Sequence, residues 1–149
     1  MGSSVLQQVA ALPYRTYPGG SDAPPFVLLI TSRQTGRWVV PKGNPIVGKA
    51  LHEAAAIEAE EEAGVTGNIS PLSIGRFRYQ KLLAGGGSVM ADVELFPLAV
   101  IDVRKKWIEM DERQRRWFAI GEAASVVDEV ELGELINRFG EGLGPRPVE

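Results

Sequence analysis

The sequence has no cysteine and a single histidine, His52. The absence of cysteine excludes disulfides, thiolate metal sites and cysteine nucleophiles. One histidine excludes histidine-rich zinc sites and makes a serine–histidine triad a poor interpretation. Any chemistry that the chain performs must therefore depend on other residue types.

Long apolar runs and an excess of positive charge are also missing. No apolar run approaches the ~20 residues that span a bilayer, and residues 1–4 do not resemble the start of a signal peptide, so we expect a cytoplasmic protein that binds no membrane. The net charge of −3 carries no nucleic-acid signature. One basic cluster remains, consisting of Arg104, Lys105, Lys106, Arg113, Arg115 and Arg116. The sequence does not indicate an oligomeric state.

The 149 residues, 44% of them hydrophobic and 23% charged, suit one globular domain. We predict a single domain over residues 1–149, with a core at about 5–139 and a frayed tail at 140–149. Periodicity predicts strands over 6–17 (broken at Pro13), 26–31, 38–40, 69–82, 88–103 and 116–120. It predicts helices over 49–63, 121–128 and 131–139. Turn residues place loops at 17–25, 34–36, 44–48 and 84–87.

The helix predicted over 49–63 carries four glutamates within five positions. Because a helix turns about 100° per residue, Glu58, Glu61 and Glu62 share one face while Glu60 points away. Like charges at that spacing cost stability unless a cation offsets them, and hard divalent cations prefer carboxylate oxygens. One alternative is that the glutamates form a solvated acidic face. Another is that the acidic helix is a surface for binding another protein.

The segment from residue 43 to residue 65 resembles the Nudix box of the Nudix hydrolase family. The box pattern is met at its spacing by Gly43, Glu58, Ala59, Glu61, Glu62, Gly64 and Val65. The chain departs from the pattern at Lys49, where the first glutamate belongs, and at Ile57, where the arginine belongs.

The resemblance extends beyond the box and covers most of residues 10–139. The diphosphoinositol polyphosphate phosphohydrolase branch of the family is similar at 14–15, 31–33, 37–41 and 113–118. The resemblance implies an α/β fold, an α/β/α sandwich around a mixed sheet.

The resemblance also implies a reaction. A Mg²⁺-dependent (or Mn²⁺-dependent) hydrolase would cleave a phosphoanhydride bond in a small polyphosphate: a nucleoside-diphosphate-linked compound such as a dinucleoside polyphosphate, or an inositol pyrophosphate. Divalent cations screen the anion and activate water in such reactions. The implied metal ligands are Glu58, Glu61, Glu62 and a carbonyl near Gly43. Glu61 and Glu62 are the predicted catalytic residues, with Glu61 as the general base. Alternative bases are Glu94, Glu109, Asp111 and Glu112.

Substrate phosphates require cations, and guanidinium groups suit bidentate phosphate contacts. The resemblance implies the substrate-binding residues, because the related positions in the family line the polyphosphate cleft: Arg15, Arg33, Arg37, Lys42 and Arg113. Three aromatic residues either stack on a nucleobase or pack in the core and on the sheet: Trp38, Phe77 and Tyr79.

The two departures from the box have consequences for activity. In the family the box arginine braces a metal-binding glutamate, and Ile57 cannot do so. Arg76, Arg78 or Lys49 would have to substitute, although Lys49 is also placed to pair with Glu53 at i+4. The departures favour an alternative function as a nucleotide-binding or regulatory module with weak or no hydrolysis.

Overall fold

The computed structural model describes residues 5–16 and 25–143, which form a mixed sheet with helices on both faces. The strands are β1 (Val5–Arg15), β2 (Phe26–Thr31), β3 (Trp38–Val39), β4 (Lys42–Gly43), β5 (Val65–Ile69), β6 (Gly75–Leu82), β7 (Ser88–Val103) and β8 (Arg115–Ala119). The helices are α1 (Leu51–Ala63), α2 (Ile120–Val126) and α3 (Val130–Leu143). The predicted α/β/α sandwich is confirmed.

The sheet follows the order β3–β2–β1–β7–β5, with β4 paired to β1, β6 to β7 and β8 to β2. Strands β1 and β7 run parallel over ten residue pairs, from Val5 opposite Met90 to Tyr14 opposite Ala99. All other pairs are antiparallel. A parallel pair needs a long crossover connection, and the chain between β1 and β7 contains α1.

Alternation along the central strand β1 divides the core into two layers. Val9 and Ala11 pack on the α1 side, whereas Ala10 and Leu12 pack on the side of α2 and α3. Small residues bring α1 close to the sheet, namely Ala54, Ala55, Ala59 and Ala63. The predicted apolar stripe of α3 is buried at Leu132, Leu135 and Ile136.

Proline at position 13 does not break β1, contrary to the prediction. The N–H of Ala11 is donated to the carbonyl of Pro41, so the nitrogen of Pro13, two residues later, points to the same side. On that side the pairing with β4 has ended at Ala10 and the pairing with β2 begins at Tyr14. Pro13 therefore removes no ladder hydrogen bond there.

Several element boundaries differ from those predicted. The strand expected over 69–82 begins only at Gly75, as β6, and the strand β5 over Val65–Ile69 was not predicted; both strands pair with β7. Helix α1 starts at Leu51 because the Glu53 carboxylate accepts the N–H of Ala50 (2.8 Å) and caps the helix there. Lys49 thus precedes the helix and does not form the expected pair with Glu53.

Helix α3 continues to Leu143, so the first part of the tail expected to fray is helical. Residues 144–149 and most of the expected loop at 17–25 lie outside the described residues. Within the part of the chain that the structure describes, no helix has both the length and the apolar character needed to cross a bilayer.

Candidate active site

Glu62 is a buried carboxylate at the end of α1, with 7% of its surface exposed. One oxygen, Oε1, accepts the backbone N–H of Lys42 (3.2 Å), and the other, Oε2, lies 3.7 Å from Nη2 of Arg113. Strand β4 supplies the first contact because it crosses next to α1. A solvated acidic face does not describe this position.

Glu58 lies one turn earlier on α1, beside Gly43 of β4. A Cβ added at Gly43 would lie 2.2 Å from Oε1 of Glu58, so the approach of the carboxylate depends on glycine at position 43. Burial, followed by repulsion from Glu62 and Glu61, raises the pKa of Glu58 to about 7. Burial also raises the pKa of Glu62, opposed by Arg113 and the Lys42 N–H. The two carboxylates are thus held together at an electrostatic cost.

The raised pKa of Glu58 predicts a pH-dependent stability of the metal-free protein. Between pH 4.5 and about 7 the folded protein keeps a proton that the unfolded chain releases, so stability falls as pH rises. Because Glu58 is partly exposed, solvent screening limits the fall to about 1–2 kcal/mol. Urea unfolding in EDTA at pH 5 and pH 7.5 should show this fall in the wild type and a smaller one in Glu58→Gln.

The matched control is Glu60→Gln, a change on the same helix that leaves Glu58 in place. It should keep the pH dependence of the wild type. Equal pH dependence in Glu58→Gln and the wild type would contradict the electrostatic cost assigned to Glu58.

The loop between β7 and β8 is fastened to the carboxyl-terminal end of α1. Three donors satisfy carbonyls that the helix itself leaves free: the N–H of Glu109 to Glu61 (3.1 Å), Nε1 of Trp107 to Glu62 (3.0 Å), and Nη1 of Arg115 to Ala63 (2.9 Å). The guanidinium of Arg115 also stacks on Trp107, 3.7 Å from the ring centre. The loop and the glutamate-bearing helix therefore form one unit.

This loop brings Glu109 to the site. Electrostatic repulsion from Glu109 contributes to the raised pKa of both Glu58 and Glu62. Nε of Arg113 holds the Glu109 carboxylate at 2.7 Å. The sequence offered Glu109 only as an alternative base, and Trp107 was missed, although a tryptophan in a polar run was an available signal.

The residues around Glu58 and Glu62 fit a divalent cation. Within residues 5–16 and 25–143 no three carboxylate or imidazole groups are placed as a complete ligand set. Mg²⁺, however, is commonly held by one or two carboxylates, with waters and substrate phosphates completing its shell. The pair of carboxylates, its raised pKa values and the approach to Gly43 meet that requirement.

A cleft of about 330 Å³ opens beside Glu62. Four of the five predicted substrate-binding residues line it: Arg33, Arg37, Lys42 and Arg113. Two of the arginines on its rim are paired with carboxylates, Arg33 with Glu112 (3.4 Å), and Arg37 with Asp128 (2.9 Å) and Glu129 (3.3 Å).

Lys42 differs from those arginines because it forms no ion pair with a described residue. Its Nζ lies 4.8 Å from the ring centre of Tyr79, whose hydroxyl donates to Gln8 (2.6 Å). Burial lowers the pKa of Lys42 to about 8 and raises that of Tyr79 to about 12. The buried ammonium group is thus a cation within the cleft whose charge is sensitive to pH.

The structure does not place Arg15 in the cleft. Arg15 lies seven residues beyond the cleft residue Gln8, about 23 Å along β1, and stacks on Trp117 (4.3 Å) and Phe26 (5.8 Å). The predicted role in substrate binding therefore has no support in this geometry.

The aromatic alternatives divide between core and cleft. Phe77 is buried in the core, and Trp38 packs edge-on against Phe118 (5.0 Å). Tyr79 alone of the three predicted candidates lines the cleft.

The remaining acidic residues have different surroundings. Glu60 pairs with Arg104 (2.5 Å), as its separate direction on the helix predicted. Glu61, the third predicted metal-binding glutamate, borders a hollow on the outer side of α1 with Ile57 and Trp107. It is nevertheless close enough to Glu58 for its charge to contribute to the raised pKa of that carboxylate. Among the alternative bases, Glu94 lies within β7 and pairs with Arg76 (3.1 Å).

The basic cluster predicted around residues 104–116 does not form one surface. Arg104 is engaged by Glu60, Arg113 is buried, and Arg115 caps α1. These cations serve the fold and the site.

Known proteins resemble this chain in sequence and in fold. The chain is 31% identical over 140 residues to Nudix hydrolase 17, mitochondrial, of Arabidopsis thaliana, covering 92% of this chain and 75% of the relative. It is 33% identical over 135 residues to Nudix hydrolase 21, chloroplastic, of the same plant, covering 89% and 65%. The chain thus spans slightly less than two thirds of the length of the latter relative. No family model matches the chain.

Solved structures share the fold at lower identity. A Caenorhabditis elegans Ap4A hydrolase superposes with a TM-score of 0.65 at 22% identity, over 95% of this chain and 100% of that chain. The NUDIX domain of Shewanella oneidensis NrtR, complexed with ADP ribose, gives 0.63 at 14% identity, over 93% and 90%. Together with the relatives at more than 30% identity, these similarities show that the chain belongs to the Nudix hydrolase family.

Proposed function

We propose that this protein is a divalent-metal-dependent pyrophosphohydrolase that cleaves a phosphoanhydride bond in a small polyphosphate. The substrate class is a nucleoside-diphosphate-linked compound, such as a dinucleoside polyphosphate, or an inositol pyrophosphate. The observation that carries this proposal is the Glu58–Glu62 pair beside a cleft lined by Arg33, Arg37 and Lys42. One structural neighbour is an Ap4A hydrolase and another is a NUDIX domain complexed with ADP ribose, which agrees with this class.

In the proposed mechanism the carboxylates Glu58 and Glu62 would hold Mg²⁺ or Mn²⁺ beside the carbonyl region of Gly43, and Glu61, the third predicted metal ligand, is assigned a separate role below. The metal supplies charge screening and an activated water when it is bound. Lys42 contacts a substrate phosphate from the floor of the cleft, and Arg33 and Arg37 attract the polyanion at its rim. The protein is proposed to act in the cytoplasm.

We assign the general base to Glu61, as the sequence predicts. Its carboxylate forms no hydrogen bond or ion pair with a described residue, whereas Arg113 holds both Glu62 and Glu109. A free carboxylate can accept a proton from water without first breaking an ion pair. Glu61→Gln should therefore lower kcat more than Glu109→Gln does. The reverse order would transfer the role to Glu109.

The direct test is turnover of the purified protein with Mg²⁺ and a panel of diadenosine polyphosphates, nucleoside-diphosphate-linked compounds and inositol pyrophosphates. Phosphate or nucleotide release from at least one class, abolished by EDTA, is expected. No turnover across the panel contradicts the proposed hydrolase.

A second candidate function is a binding or regulatory module. It is favoured by Ile57 and Lys49, which depart from the box pattern. This function predicts ligand binding without hydrolysis, unaffected by Glu62→Gln. Calorimetric titration of the same panel distinguishes it from the hydrolase.

A further inference from the structure

Arg113 lines the cleft, but its guanidinium group is engaged by the protein. Only 9% of the side chain is exposed. Nε contacts Glu109 (2.7 Å), Nη2 lies 3.7 Å from Glu62, and Nη1 donates to the backbone carbonyl of Thr31 (3.0 Å). Nε and Nη1 donate hydrogen bonds to protein oxygens and Nη2 lies nearest to the carboxylate of Glu62, so the guanidinium group is directed at the protein more than at a substrate phosphate.

The cations expected to replace the missing box arginine lie away from the box glutamates. Arg76 contacts Glu94 (3.1 Å) and Asp92 (3.9 Å), and Arg78 also lies near Asp92 (3.9 Å). Lys49 is exposed and precedes α1. None of these three residues reaches a glutamate of the box.

Position 57 itself is apolar and faces the hollow on the outer side of α1. Nothing on the helix therefore balances the charge of the buried Glu62. Two carboxylates from different segments, Glu62 and Glu109, meet instead at Arg113. Buried charges require a partner, because their loss of hydration is otherwise uncompensated.

We propose that Arg113 is the internal counter-ion of the candidate metal site and not a ligand of substrate phosphate. Arg113 lies in the loop between β7 and β8. From there it braces the glutamate that, in the Nudix box, an arginine on the helix braces. Arg113 is thus a positioning residue, which holds Glu62 and Glu109 in place while no metal neutralises them. Its relevance to catalysis rests on the proposed function, but its effect on the metal-free protein does not.

A double-mutant cycle in EDTA tests this role by thermal unfolding. Arg113→Gln should lower the melting temperature by about 6–10 °C, because it leaves two carboxylates without a counter-ion. Glu109→Gln alone should lower it less. The double variant Arg113→Gln/Glu109→Gln should melt several degrees above Arg113→Gln, since removing one uncompensated charge relieves the other. A side chain that only fills space would not give this rescue.

The matched control is Arg33→Gln, which breaks the exposed pair with Glu112 and should shift the melting temperature by less than about 2 °C. A melting temperature of Arg113→Gln equal to that of the wild type would overturn the proposal. A double variant no more stable than Arg113→Gln would also overturn it.

Kinetics supply a second readout. If Arg113 positions Glu62, Arg113→Gln should lower kcat with little change in KM, and Mg²⁺ should raise its melting temperature more than that of the wild type. A rise in KM at unchanged kcat would instead make Arg113 a phosphate ligand and overturn the proposal. If no polyphosphate is hydrolysed, the proposed function fails, while the cycle in EDTA still decides the role of Arg113.

Discussion

Glu62→Gln is expected to lower kcat by about 10²–10⁴-fold while the protein remains folded, because the variant loses a charge on which metal-assisted hydrolysis depends. Glutamine keeps the size of the side chain, and its carbonyl oxygen can still accept the N–H of Lys42. The variant cannot, however, present an anionic oxygen to a cation. Steady-state kinetics at saturating Mg²⁺, with circular dichroism as a check on folding, measure the effect.

Glu60→Gln is the matched control for this experiment. Glu60 lies two residues earlier on the same helix and pairs with Arg104 on the outer side of α1. The kcat of the Glu60→Gln variant should stay within about twofold of the wild-type value, because exposed ion pairs contribute little. Equal losses in Glu60→Gln and Glu62→Gln would mean that general acidity of the helix matters and that Glu62 has no special role.

Lys42→Met is expected to lower kcat/KM by about 10²-fold, the scale of losing one charged contact to a phosphate in a partly buried site. Lys42 is a cleft cation that forms no ion pair with a described carboxylate, whereas Arg33 and Arg37 are paired with acidic partners. Methionine keeps much of the length and the apolar contact with Tyr79. A loss of kcat/KM in this variant should therefore result from the missing positive charge and not from a change in packing.

The pH dependence of kcat/KM gives an independent check on Lys42. Because burial lowers its pKa to about 8, the free enzyme loses this positive charge as pH rises through 8, and kcat/KM should fall there. Lys42→Arg keeps its charge throughout this range, so the fall should disappear. Lys105→Met removes an exposed charge outside the cleft and outside the hollow beside Glu61, so it should leave the profile unchanged. A fall near pH 8 that persists in Lys42→Arg would assign it to another group.

The sequence was sufficient for the fold class and for most of the acidic site. Gly43 lies in the short strand β4, and Glu58 and Glu62 lie in the helix α1 that follows it. These two neighbouring elements are enough to bring the three residues together. The carboxylate of Glu58 does lie against Gly43, and Glu62 does receive the N–H of Lys42. Helical periodicity predicted that Glu58 and Glu62 share a face, and the resemblance to the Nudix box implied that Gly43 lies beside them. The hydrogen bond between Lys42 and Glu62 was not predicted.

Contacts between distant segments could not be predicted. Arg113 and Glu109 reach α1 only because the loop after β7 folds back onto its end, and no local pattern encodes that return. Arg15 was placed in the cleft on resemblance alone, whereas the length of β1 carries it away from Gln8. Pro13 was predicted to break the strand because proline has no N–H to donate to a neighbouring strand. The sequence could not show that position 13 falls between the pairing with β4 and the pairing with β2, where no such donor is needed.

Binding of Mn²⁺ to the purified protein, followed by electron paramagnetic resonance in the absence of substrate, tests the central claim most directly. The wild type and Glu60→Gln should bind the ion with the same affinity, and Mg²⁺ should displace it. The double variant Glu58→Gln/Glu62→Gln should lose measurable binding while remaining folded. Wild-type affinity in that double variant would show that these carboxylates do not hold the metal, and it would contradict the account.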